Sequence, residues 1–152
     1  MTKTCYDWDK NEIELKLPNK THKFALKLKG RKTIVSGKSA TGKTLLCSSL
    51  KDIIDYQGMA AKEYDASNIF VLNIDNKDKL KEQNKKLIVI DRGELQIDRK
   101  TADFINKDRK NRYLMFLREP KGIHLSPNYF ADMEEKRGSI VLKYRFNEQG
   151  WN

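Results

Sequence analysis

The chain has few of the residues that cross-link or interrupt a fold. Its 152 residues include two cysteines, three prolines and eight scattered glycines. Cys5 and Cys47 cannot form a disulfide framework, so we expect a reducing, cytoplasmic compartment. The opening residues lack the pattern of a secretory leader, and the apolar runs fall far short of the roughly 20 residues that a membrane span needs. We therefore expect a protein without a membrane span.

What the chain has in quantity is charge. Charged residues make up 34% and hydrophobic residues 38%, and the net charge is +10. The length and the hydrophobic content predict a single domain over residues 1–152 with one core. The net charge makes nucleic acid a possible partner, because clustered cations gain free energy by releasing phosphate counterions. However, 23 of the 31 cations are lysines, which suit specific phosphate contacts less well than arginines, so we interpret the excess mainly as a contribution to solubility.

The hydrophobic pattern changes at about residue 31. Residues 12–29 alternate between apolar and polar, which predicts an antiparallel β-hairpin within an extension over 1–30. From 31 to 146, short apolar runs alternate with helical stretches, a pattern typical of parallel strands covered by helices. We predict strands at 32–36, 69–74, 87–91, 113–118 and 139–146, and helices at 45–56, 76–84, 98–107 and 127–137. The last helix has the clearest signals: Ser126 at its N-cap, Pro127 in its first turn and Gly138 just past its end.

Residues 37–44 have the spacing of a phosphate-binding loop, namely a glycine, four residues, a second glycine, a lysine and a threonine. Its members are Gly37, Lys38, Ser39, Ala40, Thr41, Gly42, Lys43 and Thr44. The two glycines allow backbone N–H groups to converge on an anion, and the following helix adds its unpaired N–H groups. Lys43 would neutralise terminal phosphates, and the Thr44 hydroxyl would bind Mg²⁺. The bland alternative, a glycine-bearing turn before a helix, does not explain Lys43 and Thr44.

A second element is the apolar run 87–90, which ends in Asp91. Parallel strands present their carboxyl ends at one edge of a sheet, so we expect Asp91 to lie near the metal held by Thr44. The alternative is that Asp91 only starts a turn with Arg92 and Gly93.

These two elements resemble the P-loop NTPase superfamily, and more narrowly its branch of ABC-type and AAA-type ATPases. The resemblance rests on GKSATGKT at 37–44 and LIVID at 87–91. It implies an α/β fold: a mostly parallel five-stranded sheet, in the order 5-1-4-3-2 counted from the phosphate-loop strand, flanked by helices and preceded by the β-hairpin. It also implies a Mg²⁺-dependent ATP-binding protein that hydrolyses ATP.

The sequence departs from that branch at the catalytic carboxylate. A glutamate commonly follows the metal-binding aspartate there, but position 92 is an arginine. The nearest carboxylate, Glu94, is a candidate general base and equally a candidate solvated residue. Arg118, at the end of the fourth strand, is a candidate sensor of the terminal phosphate, with an ion pair at the sheet rim as its alternative.

Other functions remain open at this stage. A small nucleotide or nucleoside kinase shares the phosphate loop, and a non-catalytic, nucleotide-gated module binding nucleic acid or protein is a third possibility. ATP is favoured over GTP because the sequence has no guanine-recognition signature. Small chains of this superfamily often complete their site across a subunit interface, so the resemblance implies a nucleotide-dependent homodimer. The basic segment 99–112 is either a nucleic-acid contact, part of a kinase lid or simply solvated.

Overall fold

The computed structural model describes residues 2–17, 23–36, 42–119, 122–147 and 150–151. Its strands in chain order are β1 Lys3–Thr4, β2 Tyr6–Asp7, β3 Glu12–Lys16, β4 Lys23–Lys27, β5 Lys32–Val35, β6 Tyr64–Asp65, β7 Ile69–Leu72, β8 Leu87–Ile90, β9 Arg112–Phe116, β10 Phe130–Lys136, β11 Ser139–Tyr144, β12 Phe146–Asn147 and β13 Gly150–Trp151. Its α-helices are α1 Lys43–Ile54, α2 Ala60–Glu63, α3 Gly93–Gln96 and α4 Arg99–Lys107, with 3-10 turns at Lys77–Glu82 and Pro127–Tyr129.

Most of the strands form one mixed sheet of nine, in the order β2-β3-β4-β11-β10-β5-β9-β8-β7. β3 pairs antiparallel with β4, as the alternation over residues 12–29 predicts. β4 pairs in parallel with β11, and β11 pairs antiparallel with β10. The strands from β10 to β7 run parallel to one another. The sheet therefore joins an antiparallel part to a parallel part.

The fold class predicted from the sequence is wrong. The sequence predicts a mostly parallel sheet of five strands flanked by helices, whereas nine strands form a single mixed sheet. Among the described residues, only two α-helices, α1 and α4, exceed four residues. The physical reason is the pairing of Ser139 with Lys23 and of Ile140 with Phe24, which joins the amino-terminal hairpin to the carboxyl-terminal strands. This is not the fold of the P-loop NTPase superfamily or of its ABC-type and AAA-type branch, so that identification is also wrong.

The predicted helix over 127–137 is a strand instead. Ser126 does cap a turn, with its hydroxyl accepting a hydrogen bond from the Asn128 N–H at 3.4 Å, but that turn ends after three residues. β10 follows, and Arg137 and Gly138, at φ 53° and 82°, form a two-residue turn into β11. Two positive φ values in succession are the geometry of a type I′ hairpin turn, which matches the twist of paired strands.

The two outermost strands of the sheet lie close together. β1 pairs in parallel with β6, and the Cys5 N–H donates to the Asp65 carbonyl at 3.0 Å. The Asn68 side-chain amide donates to the Tyr6 carbonyl at 2.8 Å. These contacts place the segment that contains β2 next to the segment that contains β7, so the sheet is nearly closed.

Apolar side chains form a separate cluster on each face of the sheet. Leu46 and Leu50 of α1 pack into one cluster with Val89, and Ile105 of α4 packs into the other with Ile88. Successive residues of β8 thus point to opposite faces and both are buried, which is why this strand reads as a continuous apolar run. Among the described residues, no helix combines the length and apolar character that crossing a bilayer requires.

Candidate functional site

The carboxyl ends of three parallel strands meet at one edge of the sheet, which we call the loop edge. Val35 at the end of β5 pairs with Phe116 of β9, and Ile90 at the end of β8 pairs with Met115. The Leu117 N–H also donates to the Val35 carbonyl at 3.0 Å. The ends of these strands therefore lie side by side, and most of the site residues predicted from the sequence follow them along the chain.

Gly42 ends the phosphate-binding pattern and precedes α1. Its φ is 75°, and its carbonyl accepts a hydrogen bond from the Leu46 N–H at 2.8 Å. A Cβ atom here would lie 2.8 Å from Ile140 Cδ1 and 3.2 Å from Phe24 Cε1. Both the left-handed backbone and the close packing therefore require glycine. The other predicted loop residues, Gly37, Lys38, Ser39, Ala40 and Thr41, lie outside the described residues.

Lys43 and Thr44 are the first two residues of α1. Lys43 is half-buried and engaged in an interaction with the protein, and Thr44 is exposed. One turn later on the helix, Cys47 is buried. Burial first, and then the Asp91 carboxylate, raise the pKa of the Cys47 thiol to about 12, and the Lys43 ammonium acts in the opposite direction. Lys43 and Asp91 thus both act electrostatically on one thiol, which means that the predicted phosphate and metal ligands share one neighbourhood.

Asp91 follows β8 directly and is half-buried. Its Oδ1 accepts a hydrogen bond from the Arg92 N–H at 2.9 Å, and its carbonyl accepts one from the Gln96 side-chain amide at 2.6 Å. Arg92 adopts a left-handed conformation, with φ 52°. The chain therefore turns sharply after the carboxylate, in agreement with a turn at 92–93, and the side chain stays at the loop edge.

Glu94 lies in α3 and contacts the end of β9. Its Oε1 accepts a hydrogen bond from the Arg118 backbone N–H. Gly93 allows this approach, because a Cβ atom there would lie 2.1 Å from Leu117 Cδ2. The structure brings Glu94 and Arg118 together, but through the Arg118 main chain; the Arg118 side chain is exposed.

The oxygen ligands available to a metal at the loop edge are few. Thr44 contributes a hydroxyl and Asp91 a carboxylate, both of which suit Mg²⁺. Within residues 2–17, 23–36, 42–119, 122–147 and 150–151, no group of three or more His, Cys, Asp or Glu side chains could hold a metal ion. Mg²⁺ commonly takes one or two protein ligands and completes its shell with phosphate oxygens and water, so this donor set fits that metal.

The opposite edge, where the parallel strands begin, holds an open groove that sequence reasoning missed. Its volume is about 490 Å³. Its lining residues are Asn11, Gly30, Arg31, Lys32, Arg112, His124, Leu125, Ser126 and Tyr129. The basic runs 29–32 and 109–112 were the available signal in the sequence, but only the parallel pairing of β5 with β9 brings them together.

Comparison of the chain with protein-family models, with curated proteins and with solved structures finds no match.

Proposed function

We propose that the chain binds ATP with Mg²⁺ at the loop edge and hydrolyses it. The observation that carries the proposal is the sequence 37–44 together with the geometry at its end. Gly42 is left-handed and tightly packed, α1 begins at Lys43, and Asp91 shares the neighbourhood of Lys43 around Cys47. An α-helix of 12 residues directs unpaired N–H groups and the positive end of its dipole toward this edge, which favours a phosphate there.

The proposed division of labour follows from the charges. The Lys43 ammonium binds terminal phosphate oxygens and stabilises the charge that develops on them during hydrolysis. Mg²⁺, when bound, neutralises phosphate charge and orients the phosphates. Thr44 and Asp91 are its proposed protein ligands, and the Arg92 N–H holds Asp91 Oδ1 in place.

Glu94 is the proposed residue for orienting the attacking water. Its hydrogen bond to the Arg118 N–H fixes the carboxylate between the ends of β8 and β9, beside the strand that leads into the loop. A carboxylate held in this way can accept a proton from water without a large rearrangement. Arg118 remains a candidate for contacting the terminal phosphate, and its exposed side chain equally suits a solvated role.

The binding test compares Lys43→Ala with Lys51→Ala, a matched control about 12 Å further along the same helix. Calorimetry with ATP and Mg²⁺ should show binding that weakens about 10- to 100-fold in K43A, because a hydrogen bond to a charged group contributes about 1.5–3 kcal/mol. K51A should bind like the wild type. Equal binding by the two variants, or no binding by the wild type, contradicts the proposal.

The chemical step needs its own test. Phosphate release that requires no acceptor supports hydrolysis, whereas ADP formation that depends on an added nucleoside or nucleoside monophosphate supports the kinase alternative. Glu94→Gln keeps an acceptor for the Arg118 N–H but removes the base. We expect turnover to fall by about 10²- to 10⁴-fold with binding unchanged. Unchanged turnover would leave Glu94 with a structural role only.

A second copy of the chain is the proposed protein partner. Ile74, just after β7, and Leu95, in α3, are 85% and 77% exposed, and both follow strands that end at the loop edge. A second copy seated on the loop edge would cover both side chains. Sedimentation with and without ATP and Mg²⁺ should show nucleotide-dependent dimers that Leu95→Glu abolishes, while Leu95→Ala keeps part of the effect. A wild-type monomer under both conditions contradicts this.

A further inference from the structure

The groove at the start of the parallel strands is strongly basic. Three cations line it, namely Arg31, Lys32 and Arg112, and none of its described lining residues carries a carboxylate. Arg31 is exposed, and the Lys32 ammonium donates to the His124 carbonyl at 2.7 Å. The described residues of the groove therefore carry positive charge only.

The charge of these cations is not neutralised by ion pairs in the part of the chain that the structure describes. The salt bridges found there, Lys77 with Asp98 and Arg145 with Asp132, lie elsewhere. Burial lowers the pKa of Lys32, and the charge of Arg31 lowers it further. Because these two like charges lie close enough to repel each other, an anion in the groove would be attracted by both side chains.

The basic surface continues beyond the groove along the sheet. Arg112 begins β9 and pairs with Leu87, the first residue of β8, so Lys85 and Lys86 lie beside it at the same edge. The Trp8 ring contacts a cation from each of these two segments. Its centroid lies 3.9 Å from the Arg112 guanidinium and 5.9 Å from the Lys85 ammonium. Neighbouring strands are about 4.8 Å apart, so β5, β9 and β8 present their cations in a row.

Acidic side chains also lie near this row. Asp108 accepts hydrogen bonds from the Tyr113 hydroxyl at 2.6 Å and from the Asn111 amide at 2.8 Å, so its charge is turned toward the protein. Asp7 and Asp9 flank Trp8 in the chain; Asp9 is exposed, and Asp7 Oδ1 accepts a hydrogen bond from the Lys10 N–H at 3.0 Å. The row therefore keeps a clear excess of positive charge.

We propose that the groove and the row, together called the basic edge, bind single-stranded nucleic acid. A row of cations over three strands suits a polymer of phosphates better than one small anion, because each phosphate contact adds counterion release. Aromatic rings beside such cations offer stacking surfaces for unpaired bases. Tyr129 lines the groove and Trp8 underlies the row. The groove volume of about 490 Å³ is that of a small-ligand site, which suits unpaired bases of a single strand.

The test is anisotropy of a labelled oligo-dT at low salt and without nucleotide, on Arg31→Glu/Lys85→Glu. Both side chains are exposed, so the fold should be retained. The matched control, Lys16→Glu/Lys136→Glu, makes the same change in net charge at exposed positions on the loop-edge side of the sheet. We expect the first variant to bind at least about tenfold more weakly, with a salt dependence reduced by about 1.4 in the log–log slope. The control should bind nearly like the wild type.

Three results would overturn the proposal. They are no binding of oligo-dT by the wild type, equal weakening by both double variants, and tighter binding of a duplex than of the single strand. Should R31E/K85E not fold, photocrosslinking of the wild type to oligo-dT decides instead: crosslinked peptides containing Trp8 or Tyr129 support the site, and crosslinks elsewhere refute it. K43A should keep full oligo-dT binding, so failure of the ATP proposal and failure of this one are separable.

Discussion

The two edges of the parallel strands differ in the kind of charge that they carry. The loop edge combines the Lys43 ammonium with the Asp91 and Glu94 carboxylates, each held by short-range contacts. The basic edge has Arg31, Lys32 and Arg112, and no carboxylate lines its groove in the part of the chain that the structure describes. Mixed charge suits a metal bound together with phosphates, whereas charge of one sign suits a polyanion. One sheet thus presents two different electrostatic environments, and net charge alone does not distinguish them.

The largest effect that should separate the two edges is at Gly42. Gly42→Ala places a Cβ atom in a left-handed residue and against Ile140, so we expect a loss of about 2–4 kcal/mol in the free energy of unfolding. Urea unfolding measures it. ATP binding should be lost as well, while oligo-dT binding at the basic edge should persist in the folded fraction.

Gly58→Ala is the matched control for this substitution. Gly58 also has a positive φ, 77°, but a Cβ atom there would meet nothing within 4 Å. Gly58→Ala should lower the free energy of unfolding only by the cost of the left-handed backbone, about 1–2 kcal/mol. It should bind ATP and oligo-dT like the wild type. Equal destabilisation by the two variants would show that packing against Ile140 and Phe24 does not make Gly42 special.

A smaller effect tests whether Lys43 and Asp91 really share one neighbourhood. Burial first, and the Asp91 carboxylate in addition, raise the pKa of Cys47 to about 12, so Asp91→Asn should lower that pKa by removing the smaller of the two causes. Lys43→Met should raise it. At a fixed alkaline pH, iodoacetamide should therefore alkylate Cys47 faster in D91N and more slowly in K43M, as mass spectrometry of the labelled peptides can measure.

Cys5 provides the internal control for that experiment. Its pKa is also raised to about 12, by burial and then by Asp65, a residue distant in sequence from either variant. A substitution that merely loosens the fold would change the labelling of both thiols. Parallel changes at Cys5 and Cys47 would therefore argue against a shared neighbourhood at the loop edge.

The smallest effect concerns Asp98, which follows Asp91 and Glu94 closely in the chain but stabilises local structure. Asp98 caps α4, with its side chain accepting from the Thr101 N–H at 2.8 Å and from the Lys77 ammonium at 3.0 Å. These hydrogen bonds, that of Thr101 first, hold the pKa of Asp98 well below its usual 3.8. Its contribution to stability is fully present above pH 3.8 and is lost as the pH falls toward the lowered folded value.

Asp98→Ala should accordingly lower the melting temperature slightly near neutral pH, and the difference from the wild type should shrink as the pH falls below about 4. Binding of ATP and of oligo-dT should not change. Asp103→Ala, at an exposed position on the same helix, is the control and should behave like the wild type at every pH. A pH-independent difference for D98A would contradict the capping role.

Local patterns in the sequence predicted local structure well. The predicted strands at 32–36, 69–74, 87–91 and 113–118 overlap β5, β7, β8 and β9, and the helix after Gly42 also lies where the apolar period indicates. They succeed because burial on one or both faces leaves a direct record in the spacing of apolar residues. The N-cap at Asp98 was likewise readable from the chain.

The failures come from pairings between distant residues and from an ambiguous signal. No pattern near Ile140 in the sequence predicts its pairing with Phe24, yet that pairing joins the hairpin to the rest of the sheet. In the segment 130–136, Ala131 and Met133 are buried with one residue between them, a strand period. The helical signals of Ser126 and Gly138 outweighed that short alternation, because a glycine that ends a helix looks the same in sequence as a glycine in a hairpin turn.

At the candidate site, the sequence indicated which residue types are present but not what each one touches. It pointed to Asp91 through its place after an apolar run, and β8 brings that residue to the loop edge. It gave no sign that Glu94 binds the Arg118 main chain, because that contact depends on the absence of a side chain at Gly93, 24 residues before Leu117. The basic edge was hidden for the same reason, since its cations come from separate strands.

The bridge between β1 and β6 has a consequence for how molecules of this protein meet one another. An outer strand with open amide and carbonyl groups invites a strand from another molecule, the first step in many kinds of β aggregation. Here the Cys5 amide and the Tyr6 carbonyl are already occupied by Asp65 and Asn68 of the same chain. At that seam, recruitment of a foreign strand would first have to break hydrogen bonds that the molecule makes with itself.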